Sequence, residues 1–296
     1  MRCCWRAWIP VVLVAALATP ARAADVLLLK SGAGPQYDEA VAAFLAELGA
    51  PVAHMVVDES TTMAAVSARA VAEGARVVAT VGARAASLAA GVQQPVVAFM
   101  VLQASAVPTA PGVVGVTLAP AAAALVETAL KVAPSAKKLG LLYDGTHNDV
   151  EAKALEAAAR ERGLTLVAAR VSDSKGAVTA LEALSVDVLV LIPDATVVTK
   201  PFLQALVARS FERQLPVVCY SESFVKLGLL AALAPSYAGN GRAAAAAVKR
   251  ALVGGPRGAT AGGPTILVVN AGTARRFGLS LAPALLRPPT VVVGGP

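Results

Sequence analysis

The sequence has little cysteine and little tryptophan, and most of both lies in its first 23 residues. Cys3, Cys4, Trp5 and Trp8 all precede residue 24, so Cys219 is the last cysteine and no tryptophan remains after them. A single cysteine excludes an internal disulfide, so the hydrophobic core must hold the fold together. Aromatic residues make up only 4% of the chain, which weighs mildly against a stacked aromatic or sugar ligand.

Nucleotide-binding and serine-nucleophile motifs are incomplete. Gly32 and Gly34 follow a predicted strand, but Tyr37 stands where a dinucleotide fingerprint needs a third glycine. Ser172 and Lys175 match S-x-x-K in letters, yet they lie in a polar loop where helix capping is the simpler role. No G-x-S-x-G elbow is present. The motifs therefore do not indicate an enzyme.

Metal-binding and nucleic-acid-binding patterns are also lacking. His54 and His147 are the only histidines, and neither is spaced with Cys, Asp or Glu as a metal site. No Lys/Arg cluster is interleaved with aromatic residues. We therefore expect no metal, no cofactor and no nucleic-acid partner. His147 follows a predicted strand and is a modest candidate for ligand contact, whereas Cys219 ends a core strand and is expected to be a buried, inert thiol.

The first 23 residues have the three parts of a cleavable signal peptide. Arg2 and Arg6 precede an apolar run at residues 9–18, and a small-x-small site follows at residues 21–23. A lipoprotein cysteine would follow the apolar run, whereas both cysteines here precede it. We therefore expect a periplasmic protein without a lipid anchor. Three of the basic residues lie in this leader, so the formal charge of +7 falls to about +4 after its removal.

Short apolar runs alternate with helical patterns along the rest of the chain. The runs lack polar alternation, which is typical of strands covered on both faces of a parallel sheet. Predicted strands lie at residues 26–29, 77–81, 96–100, 139–143, 188–192, 217–220 and 266–269. Predicted helices lie at residues 37–48, 150–162, 202–213 and 239–255. This alternation predicts an α/β fold, and a Pro/Gly-rich linker at residues 108–120 divides the strands into two lobes with a cleft between them.

In open α/β sheets, ligands bind at the carboxyl ends of the strands. Five loops meet that rule, at residues 31–36, 82–87, 144–148, 193–199 and 221–223. The polar candidates in them are Ser31, Arg84, Asn148, Asp194, Thr196, Ser221 and Glu222, with Gly82 at the start of the second loop. The alternative role for each polar side chain is to cap the next helix.

Several segments resemble the ABC-transporter substrate-binding proteins of the tryptophan/tyrosine-type group, which have the type I periplasmic binding protein fold. The best match is I-P-D-A-T-V-V at residues 192–198, similar to the family's P-x-D-N-T-V-V. Further matches, in the family's order and spacing, lie at residues 141–148, 228–254 and 269–279. The resemblance covers nearly the whole chain after the leader.

The resemblance implies two Rossmann-like lobes with parallel sheets, joined by a three-strand hinge. Residues 24–119 plus 224–260 would form the first lobe, and residues 120–223 plus 261–296 the second. A small ligand, an amino acid or a small carboxylate-like molecule, would be clamped between them and delivered to an ABC permease in the inner membrane. Matching positions add Thr117 and Tyr143 to the candidate ligand-binding residues. We expect a monomer and no catalytic residues.

The sequence departs from the family pattern at several of these positions. Arg84 lies in a segment where the family often has T-P-A-A, and Ala195 replaces an asparagine. We therefore hypothesise that Arg84 pairs with an anionic group of the ligand, because arginine binds carboxylates bidentately. Glu222 or Asp194 would then hold an ammonium group. Two other functions stay open: a periplasmic ligand-sensing module for a receptor, and an exported α/β hydrolase.

Overall fold

The structure is a computed structural model that describes residues 24–255 and 259–294. The predicted signal peptide at residues 1–23 lies outside the described residues. In the part of the chain that is described, no helix combines the length and the apolar character needed to cross a bilayer.

The strands are short and follow one another with helices between most of them. In chain order they are β1 Val26–Lys30, β2 Val52–Val56, β3 Val77–Val81, β4 Val96–Val101, β5 Val113–Thr117, β6 Lys138–Tyr143, β7 Thr165–Arg170, β8 Val188–Val190, β9 Val217–Cys219, β10 Ala231–Pro235, β11 Ala261–Gly262, β12 Thr265–Asn270 and β13 Val291–Val293.

The helices are α1 Pro35–Leu48, α2 Met63–Ala72, α3 Ala83–Ala89, α4 Ala122–Val132, α5 Asp149–Glu161, α6 Ser174–Ala183, α7 Lys200–Arg213, α8 Glu222–Lys226, α9 Tyr237–Leu252 and α10 Ala271–Arg276. Short 3₁₀ turns lie at Ala104–Ala106 and Pro283–Leu286. Helix ends follow ordinary chemistry. Thr199 and Ser236 cap α7 and α9 with their side chains, and Gly49 ends α1 in a left-handed conformation.

Two sheets are formed, and we use first lobe and second lobe for each sheet with the helices packed on it. Within the described residues the first sheet has the order β11-β5-β4-β3-β1-β2, and the second has the order β13-β12-β10-β9-β8-β6-β7. Every pairing is parallel except that of β10 with β12. The predicted α/β class with two parallel-sheet lobes is confirmed, and each predicted strand corresponds to an observed one.

The prediction that residues 108–120 form a linker between the lobes is wrong. It contains β5, which pairs with β4 and extends the first sheet. The glycine and proline content of this segment is typical of a linker, although the segment forms a strand. Gly115 in β5 leaves room for the Val107 side chain, which would lie 2.6 Å from a Cβ at position 115. The crossover between the lobes is correspondingly shorter.

Three short crossovers join the lobes, at residues 118–121, at Ser236 and at residues 263–264. They are bonded to one another, because the Ser236 N–H donates to the Pro264 carbonyl at 3.0 Å and the Gly263 N–H donates to the Thr117 carbonyl at 2.9 Å. The buried Asn240 of α9 reinforces them by donating to the Thr117 carbonyl at 3.0 Å. The hinge is therefore a hydrogen-bonded unit.

Strand membership differs from the expected lobe boundaries in two segments. Residues 224–260 were expected in the first lobe, but β10 pairs with β9 and β12 of the second sheet. Residues 261–296 were expected in the second lobe, but β11 pairs with β5 of the first. Helix α9 does lie on the first sheet, where Gly241 lets it approach α1 so closely that a Cβ would fall 2.0 Å from the Ala40 carbonyl oxygen.

Candidate functional site

The lobes contact each other through loops at the carboxyl ends of their strands. Gln103, which follows β4, donates through Nε2 to Asn148 Oδ1 at 2.5 Å. The Ser105 N–H donates to Glu151 Oε1 at 3.1 Å. Asn148 and Glu151 lie about one helical turn apart at the start of α5, so they face the same loop of the first lobe. We call this pair of hydrogen bonds the inter-lobe clasp.

Asp194 is the centre of the polar groups on the second lobe. Its Oδ2 accepts from the Asp144 N–H at 2.7 Å and from Asn148 Nδ2 at 2.8 Å. Its Oδ1 accepts from the N–H groups of Thr196 and Val197 at 2.9 and 3.0 Å. Asp194 is 5% exposed, and these four neutral donors satisfy both of its oxygens. The carboxylate therefore binds the loop after β6 to the loop after β8.

Asp144 extends this network to the solvent. It accepts from the Thr146 N–H at 2.8 Å and from Thr196 Oγ1 at 2.8 Å, and its Oδ2 lies 3.0 Å from His147 Nδ1. The Thr146 N–H, followed by His147 and Thr196, holds the pKa of the Asp144 carboxyl well below its usual range. The His147 side chain is 72% exposed, so it lies at the rim beside a carboxylate that stays ionised.

On the first lobe, Ser31 and Gly82 hold the ends of the central strands. Ser31 Oγ donates to the Val81 carbonyl at 2.9 Å and accepts from the Ala85 N–H at 3.1 Å, so it joins β1 to β3 and to α3. Gly82 has φ of 91°, and a Cβ there would lie 2.8 Å from Ser31 Oγ. Both residues therefore shape the strand ends.

Arg84 and Thr117 are bonded to backbone carbonyls. Arg84 is exposed, and its Nε and Nη2 donate to the Asp58 carbonyl at 3.2 and 2.8 Å. Thr117 is buried, and its Oγ1 donates to the carbonyls of Ala119 and Ala261 at 3.2 and 3.3 Å. Thr117 thus belongs to the hinge, whereas Arg84 is exposed at the start of α3.

Tyr143 ends β6 on the second lobe, and the adjacent residues Ser221 and Glu222 lie at the start of α8. Tyr143 OH accepts from Arg170 Nε at 2.9 Å. Ser221 precedes α8 without a side-chain capping bond, and Glu222 forms an ion pair with Lys226 at 2.7 Å. Tyr143 and Glu222 therefore already have side-chain partners, whereas the Ser221 hydroxyl does not cap the helix that follows it.

Two cavities between the lobes are lined by five of the ten candidate ligand-binding residues and also by His147. One of about 560 Å³ is lined by Asn148, Asp194 and Thr196 from the second lobe and by Gln103 from the first. Another of about 350 Å³ is lined by Ser221 and Glu222. We call the two together the cleft. The candidates that do not line it are Ser31, Gly82, Arg84, Thr117 and Tyr143.

The cleft residues that sequence reasoning missed include Leu102, Gln103, Tyr220 and Tyr237. Leu102 lines both cavities and is half exposed. Tyr220 packs edge-on against Phe224, with ring centroids 5.6 Å apart. Burial, followed by nearby Cys219 and Asp194, raises the pKa of Tyr220 to about 12. Leu102 and Gln103 directly follow β4, so the strand-end rule would have found them if applied to that strand.

The remaining sequence motifs have structural roles. Asp173 in the S-x-x-K segment caps α6 by accepting from the Gly176 N–H at 2.7 Å. Cys219 is fully buried, and burial raises the pKa of its thiol to about 12. Across residues 24–255 and 259–294, no group of three His, Cys, Asp or Glu side chains is placed to hold a metal ion.

A family model for ABC transporter substrate-binding proteins matches residues 53–293. No curated protein matches the chain in sequence at a significant level. At the low identities of the similar solved structures, the likeness establishes the fold.

One similar structure is an open, ligand-free substrate-binding protein with adhesive properties from Clostridium difficile, with a TM-score of 0.69 and 16% identity over 92% of this chain and 100% of that one. Another is an ABC domain in complex with L-Trp from Streptococcus pneumonia, with a TM-score of 0.57 and 19% identity over 90% and 99%. A third is a solute-binding protein from R. palustris in complex with 4-hydroxybenzoate, with a TM-score of 0.53 and 15% identity over 78% and 81%.

Proposed function

The chain belongs to the ABC transporter substrate-binding protein family, as its sequence motifs predicted, and on that premise we propose that it carries a small solute to an ABC permease in the inner membrane. The family and the similar structures are binding proteins. We propose that this chain likewise binds its solute without turnover, as a monomer in the periplasm. The leader at residues 1–23 supports that location.

The cleft is the observation that carries this proposal. Its walls come from both lobes, and the inter-lobe clasp joins them directly through Gln103 and Asn148. A solute in the cleft contacts both lobes in the closed arrangement and only one in an open arrangement. It therefore binds the closed state more tightly and shifts the population toward it.

We propose that the solute is a small carboxylate with an aromatic ring. L-Trp and 4-hydroxybenzoate, bound by two of the similar structures, both have these groups. Tyr220 and Tyr237 line the smaller cavity of the cleft, together with apolar Leu102. Aromatic rings favour such surroundings, so the scarcity of aromatic residues in the chain does not prevent an aromatic ligand from being held here.

The ligand contacts that we favour are those that line the cleft: Asn148, Asp194, Thr196, Ser221 and Glu222. Within this set, Asp194 acts by ordering the loops, because its oxygens already accept four hydrogen bonds. Glu222 then remains as the partner for an ammonium group, and Arg84 remains a proposed partner for an anionic group.

Calorimetry with matched ligands tests the proposal. The panel is L-tryptophan, 4-hydroxybenzoate, L-alanine and D-glucose, and binding should be confined to the aromatic carboxylates. Tyr220→Ala should weaken binding at least tenfold, whereas Phe211→Ala, which alters an aromatic residue outside the cleft lining, should leave the affinity unchanged. Absence of binding to both aromatic ligands would refute the ligand class, and equal affinity of the two variants would refute the site.

A further inference from the structure

A third cavity, of about 290 Å³, lies between the lobes beside the first and third crossovers. Thr117 and Thr260 line it from the first lobe, and Leu125, Leu155 and Ile192 line it from the second. It therefore has an apolar wall and a wall made by the hinge. We call it the hinge cavity.

Glu151 is the only charged side chain that lines the hinge cavity among the described residues. Its Oε1 accepts from the Ser105 N–H at 3.1 Å, within the inter-lobe clasp. Its Oε2 is buried and has no hydrogen-bond partner in the described part of the chain. No lysine or arginine of the described residues lies within ion-pair distance of it.

A buried carboxylate oxygen without a partner is costly, because it has lost its water and gained nothing in return. An ammonium group supplies both a positive charge and several N–H donors, and such charge-assisted bonds are among the strongest in proteins. The apolar lining favours an alkyl body next to that head group. The cavity offers no cationic side chain to balance a ligand carboxylate, so it discriminates against amino acids.

We propose that the hinge cavity binds a small organic cation, a primary alkylamine, with its ammonium on Glu151 and its alkyl chain against Leu125, Leu155 and Ile192. This site adjoins the cleft, with which it shares lining residues such as Gln103 and Pro193, but its carboxylate and its apolar wall are not part of the lining proposed to hold the transported solute. Because its lining comes from both lobes, its occupant contacts both and couples to their relative arrangement.

Three probes of matched size test the site by calorimetry on the whole protein. Pentylamine has the ammonium and the alkyl chain, 1-pentanol lacks the charge, and norleucine is pentylamine with an added carboxylate. We expect pentylamine to bind at least tenfold more tightly than either of the others. Absence of pentylamine binding, or equal affinity for 1-pentanol, would overturn the proposal.

Variants on α5 locate the binding. Glu151→Gln keeps the shape and removes the charge, so it should weaken pentylamine binding at least tenfold. Glu156→Gln makes the same change at an exposed position of the same helix, outside the lining, and should have no effect. Ala154→Leu fills the cavity without altering the carboxylate and should also abolish binding. Unchanged pentylamine affinity in Glu151→Gln or Ala154→Leu would place the amine elsewhere and refute the site.

The same variants separate this inference from the proposed transport function. Neither Glu151 nor Ala154 lines the cleft. Binding of an aromatic carboxylate should therefore survive in Ala154→Leu, whatever the outcome with the amine. Thermal unfolding of each variant without ligand shows whether the protein is folded, and Ala154→Leu still tests the cavity should Glu151→Gln fail to fold.

Discussion

The two lobes present different kinds of surface at the carboxyl ends of their strands. On the second lobe, the buried carboxylates Asp144 and Asp194 each accept several hydrogen bonds and join loops about fifty residues apart in the chain. On the first lobe, the strand ends are instead joined by the hydroxyl of Ser31, which packs into the space left by Gly82. Arg84 there is exposed.

This difference indicates how the lobes share ligand binding. Several hydrogen bonds to one buried carboxylate fix the second-lobe loops before any ligand arrives, which lowers the entropy lost on binding. The first lobe has fewer fixed polar groups at its strand ends. It contributes to the cleft through the loop after β4, including Leu102 and Gln103, and through Tyr237 at the start of α9. We infer that the second lobe binds the solute first and that the first lobe closes onto it.

The largest effect should come from removing the centre of the second-lobe network. Asp194→Ala leaves three backbone N–H groups and the Asn148 amide without their acceptor, so the free energy of unfolding should fall by about 3 kcal/mol or more. Ser31→Ala, the matched change on the first lobe, removes one hydroxyl and should cost about 1 kcal/mol. Urea denaturation of both variants measures the difference between their free energies of unfolding. Equal decreases would mean that the polar groups of the two lobes contribute equally to stability.

A smaller effect is expected where the two surfaces touch. Gln103→Ala removes the side-chain bond of the inter-lobe clasp, worth about 1 kcal/mol, and should shift the ratio of open to closed protein about fivefold. Small-angle X-ray scattering of the ligand-free protein should show a larger radius of gyration. Gln93→Ala, at an exposed position away from the clasp, serves as the control. An unchanged radius in Gln103→Ala would mean that the clasp does not set the lobe arrangement.

Sequence patterns predicted the central strands well and the outer ones poorly. Strands such as β1 and β3 are buried on both faces, so they appear as continuous apolar runs. The edge strands β2 and β7 have one partner each and alternate in exposure, which makes their sequences V-A-H-M-V and T-L-V-A-A-R look mixed. Alanine-rich β10 has the composition of a helix, and only its pairing with β9 and β12 makes it a strand.

The candidate site was predicted in part for a related reason. Asn148, Asp194 and Thr196 follow strands of one sheet, so the strand-end rule brings them together. The contact of Gln103 with Asn148 depends on how one lobe lies against the other, and no local pattern contains that information. Arg84 met the same rule, yet the structure directs two of its nitrogens to the Asp58 carbonyl.

Acid should weaken the second-lobe network through Asp144. Its folded-state pKa is lowered, so its contribution to stability is present above the unfolded-state pKa, about 3.9, and is lost as the pH falls toward the folded value. Asp144→Asn should therefore flatten the dependence of unfolding free energy on pH below about pH 5. The pKa of Asp58 on the first lobe is also lowered, by bonds from Ser60 and Thr61, and Asp58→Asn is the matched control. If Asp58→Asn reduced the pH dependence of the unfolding free energy more than Asp144→Asn does, the first lobe, and not the second, would contribute more to acid sensitivity.

The smallest effect on stability should come from Arg84. It is exposed and donates to one carbonyl, so Arg84→Ala should change the free energy of unfolding by about 0.5 kcal/mol or less. Its Nη1 has no partner among the described residues and remains available for an anionic group. If Arg84 holds the carboxylate of the solute, Arg84→Ala should bind 4-hydroxybenzoate at least tenfold less tightly than the unaltered protein does. The methyl ester of 4-hydroxybenzoate has no carboxylate, so both proteins should bind it with equal affinity. Equal affinity of Arg84→Ala for the acid would exclude that role and leave ligand binding to the loops around the cleft.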